Sequence, residues 1–254
     1  MKLLYLLLPL LSLPLAAQSS FSIAAANKTV VFREIDELTV VGVGGNDLTV
    51  EGDSDPGRDA RAQGLRRISG SGLTDNTGVG LSITEDGGRI LVQQVGGGET
   101  AVTVRVPNSA SVEVEQTTER GGDLTVREFS GPLDVSMMYH GAHLDNVTGP
   151  AAVNVVYDDV TARYDRAPTA ETRLHSSYSN VDVTLPAATR ADLRLSTSYG
   201  SMYTDFDLQV NANLDEADDR PDGRGSETLN GTVGGGGVLL ALTATYGNLY
   251  LRKK

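Results

Sequence analysis

Five segments of this chain repeat one short pattern: a tyrosine after a strand-like run, a polar or glycine corner, then apolar and polar residues in alternation. They read MMYHGAHLDNV, VVYDDVTARYD, SSYSNVDVTLP, TSYGSMYTDFD and TATYGNLYLRK. Tyr139, Tyr157, Tyr178 and Tyr199 lie 18, 21 and 21 residues apart, and Tyr246 follows 47 residues later. Self-similarity near 20 residues, in units too short to bury an apolar face alone, is the signature of coils that stack on one another. Each corner is expected to turn through a backbone conformation open to glycine, at Gly200 and Gly247. Alternation then directs Met202, Thr204, Leu249 and Leu251 inward and Tyr203 and Tyr250 outward.

The rest of the sequence agrees with strands. Leu38–Val41, Val102–Val106, Val112–Val114, Leu124–Val126, Val181–Leu185 and Leu193–Leu195 alternate with period two and are separated by Gly, Asn and Asp. No long window carries apolar residues at helical spacing, and 29 glycines and 9 prolines punctuate the chain. The fold class is therefore all-β, a solenoid-like stack of short strands. With no cysteine, the fold rests on burial and strand pairing alone.

Residues 1–18 read as a signal peptide, with Lys2 before an apolar run and small residues at Ala16 and Ala17. That run is too short for a membrane span, and no later stretch comes near the roughly 20 apolar residues a spanning helix needs. The expected product is exported to the periplasm, the outer cell surface or the medium. Residues 19–98 form an N-terminal β portion, a cap or a set of diverged coils, and residues 99–254 carry the repeats. An acidic, glycine-rich insertion near 211–236 interrupts them and reads as a mobile loop.

Beyond the tyrosine corners, the chain contains GLRRISGSGLTDNTGVGLSI (64–83), VTVRVPNSASVEVE (102–115) and NVTGPAAVNV (146–155). With these it resembles an exported bacterial β-strand-repeat family of unknown function, of the adhesin or toastrack type. The resemblance covers nearly the whole mature chain and implies a right-handed, single-chain β-solenoid-like fold with an envelope role. It brings no catalytic residues.

Chemistry is sparse. A formal net charge of −12 argues against a nucleic-acid face. His140 and His143 are three residues apart and do not share the strand face that joint metal binding favours, and His175 lies a repeat away. The acidic stretches 53–59 and 215–223 lack the ligand spacing of a calcium loop, leaving a weak calcium site as the alternative to a solvated loop. No cofactor is implied. No G-x-S-x-G is present, and acidic residues such as Asp158, Asp159 and Asp182 are too common for a carboxylate pair to stand out.

The tyrosines are the remaining candidates for partner binding: Tyr139, Tyr157, Tyr178, Tyr199, Tyr203, Tyr246 and Tyr250. They form either a packed ladder at the corner or an exposed strip that binds an envelope protein or a glycan. The leading reading is a non-enzymatic adhesin-like or scaffold module of the cell envelope. The alternatives are an envelope-stress or sensing accessory protein and a polysaccharide-acting enzyme.

Overall fold

The computed structural model describes residues 20–51, 60–62, 64–97, 101–211 and 226–254. The leader at 1–18, the acidic stretches 53–59 and 215–223 and most of the insertion, 212–225, lie outside the described residues. No α-helix occurs among the described residues, so none is long and apolar enough to cross a membrane.

The strands form two sheets. Each coil contributes one strand to the first sheet, turns a corner, and contributes the next strand to the second. In spatial order the first sheet contains β6 (Arg89–Gln94), β2 (Thr29–Arg33), β8 (Ser111–Gln116), β10 (Leu133–Met137), β12 (Ala151–Val155), β14 (Thr172–Ser176), β20 (Val238–Ala244) and β16 (Ala191–Thr197). The second contains, in the same order, β7 (Ala101–Pro107), β3 (Glu37–Val43), β9 (Leu124–Arg127), β11 (Ala142–Asp145), β13 (Val160–Arg163), β15 (Val181–Leu185), β21 (Leu249–Lys253) and β17 (Met202–Thr204). Neighbouring strands within these series are parallel, as stacked coils require.

Chain order and spatial order disagree at both ends. The coil β2/β3 comes first in the chain but sits between β6/β7 and β8/β9. The last coil, β20/β21, slots between β14/β15 and β16/β17. The Tyr199 coil therefore does not sit on the Tyr178 coil; the Tyr246 coil lies between them. Local pattern encodes a coil but not its neighbour.

Antiparallel strands close the stack where the exchanges occur. At one end β4 (Asp47–Glu51) pairs with β7, β1 (Ser20–Ala24) pairs with β4, and β5 (Leu81–Asp86) pairs with β6. At the other, β19 (Glu227–Val233) pairs with β16, and β18 (Gln209–Val210) with β19. These strands occupy edges that would otherwise offer unpaired N–H and C=O groups to another chain. The tail of the expected insertion is thus strand β19 rather than loop. It carries VGGGG into β20, and Gly234, Gly235 and Gly236 take positive φ in the turn.

Inward residues of both sheets meet in one core that runs the length of the stack. Ladders such as Val112, Leu133, Ala151, Thr172 and Leu240 occupy one register row of the first sheet. Val126, Leu144, Ala162, Val183 and Leu251 do the same in the second. All ten are buried, consistent with period-two burial contributing ~1.5–3 kcal/mol per large apolar side chain. Strands on both sides of residue 98 share that core, because β7 pairs with β3 and β4.

Thr204 departs from the expected parity and is exposed. It lies on β17, an edge strand with no coil beyond it to enforce the alternation, and Phe206 turns inward just after it. Leu249 and Leu251, flanked on both sides, are buried as the alternation requires.

Candidate functional site

The five tyrosine coils are consecutive in space, and each turns from the first sheet to the second through a four-residue corner: 138–141, 156–159, 177–180, 245–248 and 198–201. Tyrosine is the second residue of every one. Its N–H donates to the carbonyl of the residue before the tyrosine on the coil below: Tyr157 to Met138, Tyr178 to Val156, Tyr246 to Ser177 and Tyr199 to Thr245. The rings are therefore held at the strand spacing, which is ~4.8 Å.

They stack accordingly. Centroids are 5.3 Å apart for Tyr139 and Tyr157, 5.1 Å for Tyr157 and Tyr178, 4.9 Å for Tyr178 and Tyr246, and 4.5 Å for Tyr246 and Tyr199. Interplanar angles run from 0° to 19°. Near-parallel rings at this separation fall in the range that offset-stacked aromatic pairs favour, so backbone register and ring preference agree. The rings nonetheless stay about half exposed, from 46% at Tyr139 to 53% at Tyr178. Packed ladder and exposed strip, opposed in the sequence reading, coexist: ring faces are covered by neighbouring rings while edges meet solvent.

In three of the five corners the residue two past the tyrosine locks the coils together, a signal the sequence reading missed. Asp159 Oδ1 accepts the N–H of Asn180 at 2.8 Å, Asn180 Oδ1 that of Asn248 at 3.0 Å, and Asn248 Oδ1 that of Ser201 at 2.9 Å. Asp123 Oδ1 likewise accepts from Gly141 at 2.9 Å. Each bond satisfies a corner donor that no strand can reach. The spacing Tyr-x-Asp/Asn would have revealed it.

Glycine serves this corner differently from the expectation. Neither Gly200 nor Gly247 has positive φ. A Cβ at Gly247 would collide with the Ser179 carbonyl, and one at Gly200 with the Gly247 carbonyl. The requirement is close approach of stacked backbones.

Beside the ladder, on the outer face of the first sheet, Ser136, Asn154, His175, Thr243 and Ser196 fall in one register row. Each stands three residues before a ladder tyrosine. Burial holds His175 below its ordinary value, so this row is uncharged at neutral pH. The adjacent row reads Asp134, Ala152, Arg173, Ala241 and Arg194. Both rows, Ser196 excepted, line a shallow groove of about 540 Å³, adjoined by a second of about 390 Å³ that shares Asp134, Ala152 and Arg173. Tyr246 is raised above its ordinary value, first by the neighbouring Tyr199 phenol, then by burial and by Tyr178, so its hydroxyl stays a donor at neutral pH.

Tyr203 and Tyr250 stand apart from this edge. They pair across β17 and β21 on the outer face of the second sheet, stack at 5.3 Å, and carry the Arg252 guanidinium 4.9 Å from the Tyr250 centroid. The histidines are not brought together: His143 Nδ1 contacts Thr161 Oγ1 at 2.8 Å, His140 Nε2 the Glu119 carbonyl at 3.3 Å, and His175 Nε2 Thr245 Oγ1 at 3.3 Å. Among the described residues no group of His, Asp and Glu is arranged to hold a metal ion.

No protein-family model matches the chain, and no curated protein matches it. Two solved structures overlap it along most of its length. A candidate cell adhesion protein from Clostridium sporogenes ATCC 15579 is 10% identical, with 93% of this chain and 100% of that one covered and a TM-score of 0.46. A candidate adhesin from Bacteroides fragilis NCTC 9343 is 7% identical, covering 91% and 95%, with a TM-score of 0.27. At these scores neither overlap bears on the function of this chain.

Proposed function

We propose that this chain is a non-enzymatic binding module of the cell envelope, adhesin-like or scaffold in type, that engages a macromolecular partner through the tyrosine edge of its stack. The observation that carries the reading is the in-register row of five half-exposed rings beside an uncharged polar row, repeated over five consecutive coils. Tyrosine provides rigid, amphipathic contact area at low entropic cost, and a row of it suits a long partner better than a small molecule. The leader-like residues 1–18 support export.

The test is retention of the mature protein on its own envelope fraction, comparing the parent with Tyr157→Ser/Tyr246→Ser. Retention should fall at least tenfold while the fold persists by circular dichroism, because interface energy concentrates in a few aromatic anchors. Equal retention of a folded double variant would refute the reading.

A further inference from the structure

Resting on that reading, we propose that the partner is a linear polysaccharide carrying carboxylates, laid along the stack in the groove of the first sheet and alongside the tyrosine edge. The groove runs across the strands, parallel to the ladder, so its occupant is extended in the stacking direction.

Hydrogen-bonding chemistry favours a glycan over a peptide. The strands of the groove floor are paired on both sides within the sheet, leaving no free edge for a peptide backbone. What the floor offers is a side-chain row of Ser136, Asn154, His175 and Thr243, groups that both donate and accept. Sugar hydroxyls do the same. The ladder runs beside the groove at the corner; its ring faces are covered by neighbouring rings, so it presents edges and hydroxyls rather than stacking platforms to a polymer that extends over it.

Charge then selects the class of glycan. Arg173 and Arg194 occupy one register row on either side of Ala241, two strand spacings or ~10 Å apart. Among the described residues Arg194 has no carboxylate within ion-pair distance, and Arg173 pairs with Glu171, the residue just before β14. A guanidinium is the side chain best matched to a carboxylate, which it binds through two parallel hydrogen bonds. His175, on the strand of Arg173, is neutral and adds no charge beside it. Asp134 repels anions at the β10 end, and Glu113 and Glu171 line the adjoining groove, so acidic units settle in the first groove over β14, β20 and β16.

The experiment measures binding of the mature chain to polygalacturonate and alginate, each beside its esterified form, which keeps the backbone and removes the charge. The acidic polymers should bind, the esters at least about tenfold more weakly, as loss of one charge-assisted hydrogen bond implies. Arg173→Gln/Arg194→Gln should weaken acidic binding at least about tenfold with an unchanged melt, and Tyr157→Ser/Tyr246→Ser should weaken both forms. Equal binding of acid and ester, or binding indifferent to the arginine variant, overturns the carboxylate assignment. No binding to any polymer, with envelope retention still dependent on the tyrosines and abolished by protease treatment of the envelope material, overturns the glycan and leaves a protein partner. Envelope retention indifferent to the tyrosines instead overturns the underlying reading of the ladder.

Discussion

The ring of Tyr246 lies on that of Tyr199 with centroids 4.5 Å apart and planes 3° from parallel, and on its other face meets Tyr178 at 4.9 Å. Tyr246 belongs to the last coil of the chain, yet it is an interior rung of the ladder. Substituting it removes two stacked pairs, each worth ~0.5–1.5 kcal/mol beyond area burial. Tyr246→Ser should therefore cost about 1–3 kcal/mol in chemical denaturation, and Tyr139→Ser, which removes one pair, about half as much. A loss of 4 kcal/mol or more at Tyr246, as for deletion of a fully buried aromatic, would mean the ring's exposure is misread.

Close approach at the corner gives a second expectation. Gly247→Ala places a methyl against the Ser179 carbonyl, and neither backbone can yield without disturbing the bonds on either side. The expected cost is about 2–3 kcal/mol, in the range of overpacked sites. Gly44→Ala is the control, since nothing lies within 4 Å of its Cβ position and its φ is negative. Equal melting temperatures for the two variants would rule out the nested-corner account.

The corner also shows how far the sequence could be read. Tyrosine repeats and period-two runs are enough for coils and for parity in strands flanked on both sides, because each is a local consequence of one strand and one turn; Thr204, on an edge strand, escapes it. Gly200 and Gly247 are legible as corner residues but their constraint is not: positive φ is a property of one residue, whereas theirs comes from a carbonyl on another coil. The exchanged coils were invisible for the same reason. Nothing in VLLALTATYGNLYLRK specifies that its strands lie between β14/β15 and β16/β17; that emerges only when β18 and β19 carry the chain back across the end. The Arg173 and Arg194 pair was equally hidden, since the residues become neighbours of Ala241 only through that insertion.

Asp159 anchors the corner bonds, accepting from the N–H of Asn180 at 2.8 Å, its Nδ2 at 3.1 Å and the Ser179 hydroxyl. Asp159→Ala leaves those donors without a partner and should cost about 1–3 kcal/mol. Asp182→Ala serves as comparison. Its pairing with Arg252 lies on an exposed face, where ion pairs contribute at most ~1 kcal/mol. If urea midpoints shift equally, the corner carboxylate has no special structural role.

Tyr164 supplies a pH-dependent test. Its ring is buried, and its hydroxyl lies near that of Thr172 with neither in hydrogen-bond geometry; the proximity only partly offsets the effect of burial. Burial pushes the phenol up to about 12, above the unfolded value near 10. A raised folded value favours the protonated form, so this contribution is intact below pH ~10 and is lost as pH climbs from about 10 toward 12, by roughly 2–3 kcal/mol. Tyr164→Phe should be neutral or stabilising by up to about 1 kcal/mol at pH 7, because no bond is broken. It should also flatten the alkaline fall relative to the parent. A destabilised Phe variant at neutral pH would place a hydrogen bond on that hydroxyl.

The exchange of coils reverses the usual expectation for a chain terminus. In a stack threaded in chain order the last coil has one neighbour and frays first. Here β20 is paired on one side with β14 and on the other with β16, while β17, earlier in the chain, is the edge of its sheet and bonds only to β21. Hydrogen exchange should therefore show Leu240 and Leu242 protected at or near the level of global unfolding, with Tyr203 and Thr204 exchanging through local opening. Leu242→Ala should cost about 2–5 kcal/mol, since the side chain is fully buried, whereas the exposed Val210→Ala should change stability by no more than ~0.5 kcal/mol. Truncation before Val238 should strip both partner coils of their inner neighbour and abolish the cooperative melt of the whole tyrosine edge. A truncated chain that still melts cooperatively, with β16 and β17 protected, would mean those strands can dock directly on β14 and β15, and the interior place of the last coil would then be dispensable.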